Sequence, residues 1–249
     1  MTPPLFLTEP GALDQERVVL SGAEGRHAAT VRRLAVGEVV DLADGAGTRA
    51  RCVVTGVGKD TLSCTVEERT TDPAPKPSIT VVQALPKSDR AELAVEVMTE
   101  AGVDTIVPWA AERCVTRWKP ERAAKALAKW RATAREAGKQ ARRSWIPEVG
   151  DLAATSGVAS LVFGAALGIV LHEDAAEPLS TLPLPAGLTE PGSGGIVLVV
   201  GPEGGMTGNE LRAFDEAGAT RALLGPTVLR TSTAGVAALA VVQARCGRW

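Results

Sequence analysis

Two short segments near the end of the chain hold the residue types best suited to bind a ligand and act on it. The first, GPEGG, occupies residues 201–205, and the second, LGPTVLRTSTA, occupies residues 224–234. Glycines let a backbone approach a ligand closely, and prolines stiffen the turns between them. We interpret the two segments as ligand-binding loops.

The first loop carries a single carboxylate, that of Glu203. No lysine follows it, as one would in a phosphate-binding GxxxxGK[ST] loop, and the GxGxxG spacing of dinucleotide-binding folds is absent. ATP and NAD are therefore poor candidates, and a cationic or sugar-bearing ligand suits the loop better. Standing alone, GPEGG could also be a plain turn from a strand to a helix.

In the second loop, Arg230 is the residue that packing explains least. Leu224, Val228 and Leu229 offer an apolar lining, and residues 231–233 supply hydroxyls at the start of a helix. A guanidinium between the lining and the helix start can hold an anionic group or stabilise a developing oxyanion. Arg230 is thus the first candidate for catalysis.

From residue 78 onward the sequence predicts alternating strands and helices, and these elements would position the two loops. Strands are predicted at 79–85, 103–109, 160–164, 168–173, 196–201 and 220–225, and helices at 89–101, 119–143, 207–218 and 231–245. This alternation indicates an α/β fold with an open parallel sheet, whose ligands bind at the carboxyl ends of the strands.

The first 70 residues have a different pattern, typical of a small β-barrel. β-rich segments at 39–42, 51–55 and 61–66 alternate with tight turns, and one helical stretch is predicted near 25–34. The proline-rich segment 70–77 is the best domain boundary, so we predict domains at 1–72 and 73–249.

The charge is distributed unevenly along the chain. Residues 113–143 contain eleven Lys or Arg and two Glu, a net charge of +9. Because the whole chain has a net charge of −2, the remaining residues carry −11. This pattern is expected of a protein that docks a polyanion at one defined place, although a solvated helix face explains the charge equally well.

Other features argue against a membrane protein and a metalloprotein. No apolar run is long enough to span a bilayer, and the N-terminus lacks the basic flank of a signal peptide, so a cytoplasmic protein is expected. Four separated cysteines and two histidines form no metal-binding pattern, so no metal site is expected.

Together, the two loops resemble the signature of the SPOUT methyltransferases. Within that superfamily the chain is similar to the bacterial family that methylates N3 of a uridine in 16S (small-subunit) ribosomal RNA. The similarity covers almost the whole chain, including GRHAATVRRLAVGEVVDLADG at 25–45, LPKSDR at 85–90, TEAGVDTIVPWAAER at 99–113 and EAGKQARRSWIP at 136–147.

The resemblance implies a C-terminal trefoil-knotted SPOUT domain, an N-terminal PUA-like barrel that contacts RNA, a homodimer, and S-adenosylmethionine as cofactor. From the alternation alone we would expect an ordinary doubly wound sheet, because knots are rare. The cofactor-binding positions implied are Leu171, Gly201, Gly204, Gly205, Leu224, Gly225, Val228 and Leu229. The family commonly reads LRTETA where this chain reads LRTSTA, so Ser232 receives no role that requires a charge.

Transfer of a methyl group to uridine N3 requires loss of the imide proton, which spreads negative charge over O2 and O4. Arg230 is the candidate to stabilise that charge; Glu203 could be a base, but a role in ordering the loop is favoured. The expected phosphate contacts are Arg113, Arg135, Lys139, Arg142 and Arg143, with Arg32 and Arg33 as a second patch.

Two other hypotheses remain open from the sequence. One is a SPOUT enzyme that methylates a different RNA position, such as a ribose 2′-OH. The other is a non-catalytic, RNA-binding factor in ribosome assembly.

Overall fold

The computed structural model describes residues 2–87, 90–190 and 192–249. The chain folds into two compact units. The N-terminal unit comprises Met1–Ala74 and Gly138–Ile146, and the C-terminal unit comprises Pro75–Ala137 and Pro147–Trp249. The second segment of the N-terminal unit therefore comes from the part of the sequence after the predicted boundary.

A five-stranded sheet forms the N-terminal unit, in the order β1-β3-β4-β5-β2. Its strands are β1 (Leu5–Leu7), β2 (Arg17–Leu20), β3 (Val39–Ala43), β4 (Thr48–Val57) and β5 (Leu62–Thr71). β1 pairs with β3 in parallel, and the other pairs are antiparallel. A 3₁₀ turn covers Ala12–Asp14, and the helix α1 (Gly22–Arg26) continues into a π-helical turn, His27–Val31. The predicted strands and the predicted helical stretch are confirmed.

The segment 138–146 adds main-chain contacts to this unit. The Gly47 N–H donates to the Ser144 carbonyl (3.0 Å), and the Ile146 N–H donates to the Gly45 carbonyl (2.9 Å). The Trp145 indole N–H donates to the Asp72 carbonyl at 3.0 Å. Ile146 also packs on Leu5, Leu7 and Ala43. The segment is thus an integral part of the N-terminal unit.

A six-stranded parallel sheet forms the centre of the C-terminal unit, in the order β11-β9-β10-β6-β7-β8. Its strands are β6 (Ile79–Ala84), β7 (Thr105–Trp109), β8 (Glu148–Val149), β9 (Leu167–Leu171), β10 (Ile196–Val200) and β11 (Thr220–Ala222). β6 and β10 are almost entirely buried, which explains their near-continuous apolar sequences. The chain places β10 between β6 and β9, both of which precede it in sequence.

Five helices accompany this sheet in the described part of the chain: α2 (Ala91–Glu100), α3 (Pro120–Gln140), α4 (Thr155–Gly164), α5 (Gly208–Glu216) and α6 (Thr231–Arg245). α2 packs on α6, which covers β6 and β10, and α4 packs on α5 and β9. Thr207 and Glu210 form a capping box at the start of α5. Trp130 of α3 lies in the core.

One predicted strand is wrong. Residues 160–164 belong to α4, not to a strand. In α4 the buried side chains are Val158 and Val162, four residues apart, whereas Phe163 is 80% exposed. This four-residue spacing is helical, and the short apolar run does not reveal it because neighbouring apolar residues obscure the period.

Among the described residues, no helix is long and apolar enough to cross a membrane. Within the same residues, no group of three or more His, Cys, Asp or Glu side chains is arranged to hold a metal ion.

Candidate active site

Three neighbouring strands end at the same edge of the C-terminal sheet. β10 and β11 lie on either side of β9, and all three are parallel; Val170 is opposite Val199, and Leu171 is opposite Ala222. Their carboxyl ends therefore meet, and the chain leaves them through the segments that begin at His172, Gly201 and Leu223. The positions expected to bind a cofactor all fall on these strand ends and loops.

The GPEGG loop is held by contacts from the loops after β6 and β7. The Glu203 carboxylate accepts a hydrogen bond from the Lys87 backbone N–H at 3.1 Å. The Gly204 carbonyl accepts one from the Arg113 guanidinium at 3.4 Å. The loop is thus fixed at two successive residues, although Glu203 itself is exposed.

Two glycines of this loop have a clear structural reason. A Cβ atom at Gly204 would lie 3.0 Å from both Cβ and the carbonyl oxygen of Arg113, so a side chain would displace the neighbouring backbone. Gly205 has φ +72°, a left-handed conformation that side chains disfavour. The result is an exposed stretch of backbone at the carboxyl edge of the sheet.

Apolar side chains of the second loop face solvent. Val228 is 79% exposed and Leu229 is 40% exposed, whereas Leu224 and Gly225 are partly buried. This exposed apolar loop lies on the chain between β11 and α6. Such a surface beside bare glycine backbone suits a ligand with both apolar and polar parts.

Arg230 is the N-cap residue of α6, and its guanidinium is exposed. Its carbonyl accepts hydrogen bonds from the N–H groups of Thr233 and Ala234, both at 2.9 Å, so its backbone is fixed. Among the described residues its side chain has no ion-pair partner. The structure therefore holds the backbone of Arg230 in place and leaves its charge available.

The next residue links three elements of the site. The Thr231 hydroxyl donates to the Gly201 carbonyl at 3.1 Å, and the Thr231 carbonyl accepts from the Gln83 side-chain amide at 3.2 Å. Gln83 lies on β6 and is fully buried. Sequence reasoning missed Gln83; the available signal was a single polar residue in the apolar run ITVVQAL.

A buried carboxylate orders the loop after β7. Glu210 accepts hydrogen bonds from the Thr207 N–H (2.7 Å), the Thr207 hydroxyl (3.1 Å) and the Glu112 N–H (2.8 Å). Because Glu112 precedes Arg113, this contact helps to place Arg113 beside Gly204.

Three cysteine thiols have raised pKa values and stay neutral near pH 7. Burial is the main cause of the raised pKa of Cys114, and the charges of Glu203 and Glu210 raise it further against two backbone hydrogen bonds. In the N-terminal unit, burial raises the pKa of Cys52 to about 12 and that of Cys64 to about 11. A neutral buried thiol is a poor nucleophile, so none of these three is suited to covalent catalysis.

The residues expected to contact RNA differ in exposure. Arg32 and Arg33 of the N-terminal unit are exposed, as are Arg113 and Arg135 of the C-terminal unit. Arg142 and Arg143 are partly buried; the Arg142 guanidinium binds Asp41 at 2.6 Å and the Pro3 carbonyl at 2.9 Å.

Lys139 has a different role from the predicted phosphate contact. It is 5% exposed, and its ammonium contacts both carboxylate oxygens of Glu24, at 2.9 and 3.0 Å. It also lies 5.4 Å from the centre of the Phe6 ring. A buried, ion-paired ammonium is unavailable to a phosphate, so we remove Lys139 from the RNA-contacting set.

Comparison with known proteins agrees with this geometry. A model of the RNA methyltransferase domain matches residues 73–243, and a model of the RNA methyltransferase PUA domain matches residues 20–67. The chain is 46% identical over 235 residues to the ribosomal RNA small subunit methyltransferase E of Mycobacterium tuberculosis, covering 93% of this chain and 87% of that protein. The chain belongs to the ribosomal RNA small subunit methyltransferase E family. The family expected from the two loops is confirmed, and the protein is an RNA methyltransferase.

Other members of the methyltransferase E family are more distant. The Bacillus subtilis protein is 28% identical, over 90% of this chain and 88% of its own length. The crystal structure of the Neisseria gonorrhoeae family member bound to S-adenosyl methionine superposes with a TM-score of 0.85 at 29% identity, covering 98% of both chains. The chain described here thus consists of a PUA-type unit and an α/β methyltransferase unit.

Proposed function

We propose that this protein uses S-adenosylmethionine to methylate N3 of a specific uridine in small-subunit (16S) ribosomal RNA. The observation that carries the proposal is the meeting of the GPEGG loop, the exposed apolar loop and Arg230 at one edge of the sheet, in a chain of this family. We further propose that the predicted domain 1–72 is completed by the segment 138–146 and that the rest of 73–249 forms the second domain. The proposal includes a PUA-like barrel in the first domain, a trefoil knot in the second, a homodimer and a cytoplasmic location.

The residues at the carboxyl edge fit S-adenosylmethionine. The bare backbone of Gly201, Gly204 and Gly205 can approach the ligand, and a Cβ at Gly204 would fill the space beside Arg113. The other proposed cofactor-binding residues are Leu171 at the end of β9 and, in the second loop, Leu224, Gly225, Val228 and Leu229. When bound, the cofactor supplies an electrophilic methyl group, whose bond to sulfur breaks as its bond to the uridine nitrogen forms.

Arg230 stabilises the negative charge that appears on O2 and O4 as N3 loses its proton to solvent water. A guanidinium donates planar, charge-assisted hydrogen bonds to such oxygens, and donors of this kind lower a barrier by about 3 kcal/mol. The fixed backbone of Arg230 supports this role because it limits the positions that the guanidinium can reach.

Glu203 orders the GPEGG loop. Its carboxylate binds the Lys87 N–H, and this bond supports a holding role over service as the base. We therefore assign the loop the task of shaping the cofactor site and Arg230 the task of stabilising charge.

Arginines on both units bind the phosphates of the RNA. The proposed contacts are Arg32, Arg33, Arg113, Arg135 and Arg143, whereas the Arg142 guanidinium already binds Asp41 and the Pro3 carbonyl. Such contacts position the RNA. They also help to offset the free-energy cost of unstacking the target base, which is on the order of a few kcal/mol.

The position of β10 supports the proposed knot. β10 enters the sheet between β6 and β9, which precede it in the chain. A strand that inserts between two earlier ones is the arrangement from which a threaded topology can arise.

The test is to incubate the purified protein with labelled S-adenosylmethionine and small subunits from a strain lacking the family enzyme. Nuclease digestion and mass spectrometry then locate the methyl group, and we expect 3-methyluridine. A methylated ribose would contradict the proposed position. If calorimetry detected no binding of S-adenosylmethionine by the folded protein, an assembly factor without catalysis would replace the proposal.

A further inference from the structure

Gln83 is a polar side chain in an otherwise apolar, buried strand. Its amide nitrogen donates to the carbonyls of Ala84 (3.0 Å) and Thr231 (3.2 Å), while its oxygen has no hydrogen-bond partner among the described residues. An unsatisfied buried polar atom costs about 1–3 kcal/mol. An apolar residue at this position would avoid this penalty. The presence of an amide here is therefore best explained by the hydrogen bonds that its nitrogen donates.

Thr231 transmits this contact to the GPEGG loop. It is 5% exposed, its carbonyl binds Gln83, and its hydroxyl donates to the Gly201 carbonyl. At a helix start a threonine hydroxyl commonly caps free N–H groups. Here the hydroxyl binds a different element, so its main contact joins α6 to the end of β10.

A glycine within α6 makes room for Gln83. A Cβ at Gly235 would lie 2.7 Å from the Met98 sulfur and 3.2 Å from the Gln83 side-chain oxygen. Glycine inside a helix is about 0.5–1 kcal/mol less favourable than alanine. The close approach of Met98 and the Gln83 amide accounts for its presence.

We infer that Gln83 and Thr231 are positioning residues for methyl transfer. They fix the first turn of α6, and with it Arg230, relative to the backbone of Gly201. The inference rests on the proposed function, in which Gly201 contacts the cofactor and Arg230 contacts the uridine. A misplacement of about 1 Å between reacting groups can lower a rate about 100-fold, so a fixed spacing between these two residues matters for turnover.

The experiment compares variants that remove each hydrogen bond with little change of volume. Thr231→Val removes the hydroxyl, Thr231→Ser keeps it, and Gln83→Met removes the amide. Thr55→Val is the matched control, because the Thr55 hydroxyl bonds Ser63 in the N-terminal unit. For each variant we would measure kcat, KM for both substrates, the melting temperature, and hydrogen exchange at the amides of residues 201–205.

We expect Thr231→Val and Gln83→Met each to lower kcat about 10- to 100-fold, by the same positional argument. The serine variant should stay within about threefold of wild type, as should Thr55→Val. The double variant should be little worse than the poorer single variant, because both residues act through one chain of contacts. The GPEGG amides should exchange faster in Thr231→Val.

Unchanged kcat in folded Thr231→Val, or effects of the two substitutions that multiply, would overturn the inference. Loss of melting temperature with full kcat would indicate a structural role alone. If the wild-type protein transferred no methyl group, the proposed function would fail separately. The exchange measurement would then still decide whether Thr231 holds the loop.

Discussion

Arg230 occupies a place that electrostatics within the chain does not favour. It is the N-cap of α6, where the helix dipole presents partial positive charge, and a cation there is unfavourable by about 0.3–1 kcal/mol. No carboxylate among the described residues forms an ion pair with it. An exposed cation retained against the dipole is readily explained by an anionic group that reaches it during the reaction.

Replacement of Arg230 tests this explanation at the level of one side chain. We expect Arg230→Ala to lower kcat about 100- to 1,000-fold, as loss of an oxyanion donor does. The affinity for S-adenosylmethionine should change by less than about fivefold, because the proposed cofactor contacts are mainly backbone groups. Arg230→Lys keeps the charge but not the planar donors, so its kcat should be intermediate. Equal losses in kcat and cofactor affinity would contradict the assignment.

Local sequence could indicate some residues of the site and not others. Glu203, Gly204 and Arg230 stand in short motifs whose residue types limit the chemistry by themselves. Gln83 has meaning only through Thr231, which is 148 positions away in the sequence. The prediction that Lys139 contacts phosphate is wrong for the same reason. A count of charges along the sequence does not show that Lys139 forms an ion pair with the distant Glu24.

At the scale of elements, the end of α3 shows how a basic segment can serve the fold. The Arg142 N–H bonds the Lys139 carbonyl, and the Arg143 N–H bonds the Gly138 carbonyl, a Schellman arrangement that ends the helix. Arg142 has φ +57° at the position where glycine is usual. Its ion pair with Asp41 helps to offset the strain, which is about 1 kcal/mol.

The ion pair of Lys139 with Glu24 gives a second prediction for this helix end. We expect Lys139→Met to destabilise the protein by about 3 kcal/mol, because it leaves the largely buried Glu24 carboxylate without its cation. Urea-induced unfolding would measure the change, and adding Glu24→Gln should recover much of it. The salt dependence of RNA binding should stay as in wild type; a shallower dependence would restore Lys139 as a phosphate contact.

The accuracy of the predicted elements follows their length and periodicity. α3 and α6 are predicted closely because a long amphipathic pattern or a distinct start signal defines them. β1, β2 and β8, with two to four residues each, are too short to show a period. Residues 160–164 are predicted as a strand but belong to a helix. The buried residues Val158 and Val162 have helical spacing, but their neighbours Leu161 and Phe163 are also apolar and hide this period.

For the whole molecule, charge is the property that links the sequence to the substrate. The overall charge is only −2, yet residues 113–143 carry +9. Part of this positive charge is paired within the chain: Lys129 pairs with Glu92, Arg131 with Asp151, Lys139 with Glu24, and Arg142 with Asp41. The number of arginines that neutralise phosphates must therefore be smaller than the sequence suggests.

Measurement of RNA affinity against salt concentration gives that number. Each phosphate contact adds about 0.7–0.9 to the slope of log K against log salt, because binding releases counterions. We expect Arg32→Gln and Arg135→Gln each to reduce the slope by about one and to weaken binding to all RNA sequences alike. Arg221→Gln is the matched control, because Arg221 is a surface arginine that already pairs with Asp215, and its slope should equal that of wild type. A wild-type slope in both Arg32→Gln and Arg135→Gln would remove these arginines from the RNA surface and leave Arg33, Arg113 and Arg143 as the contacts to test.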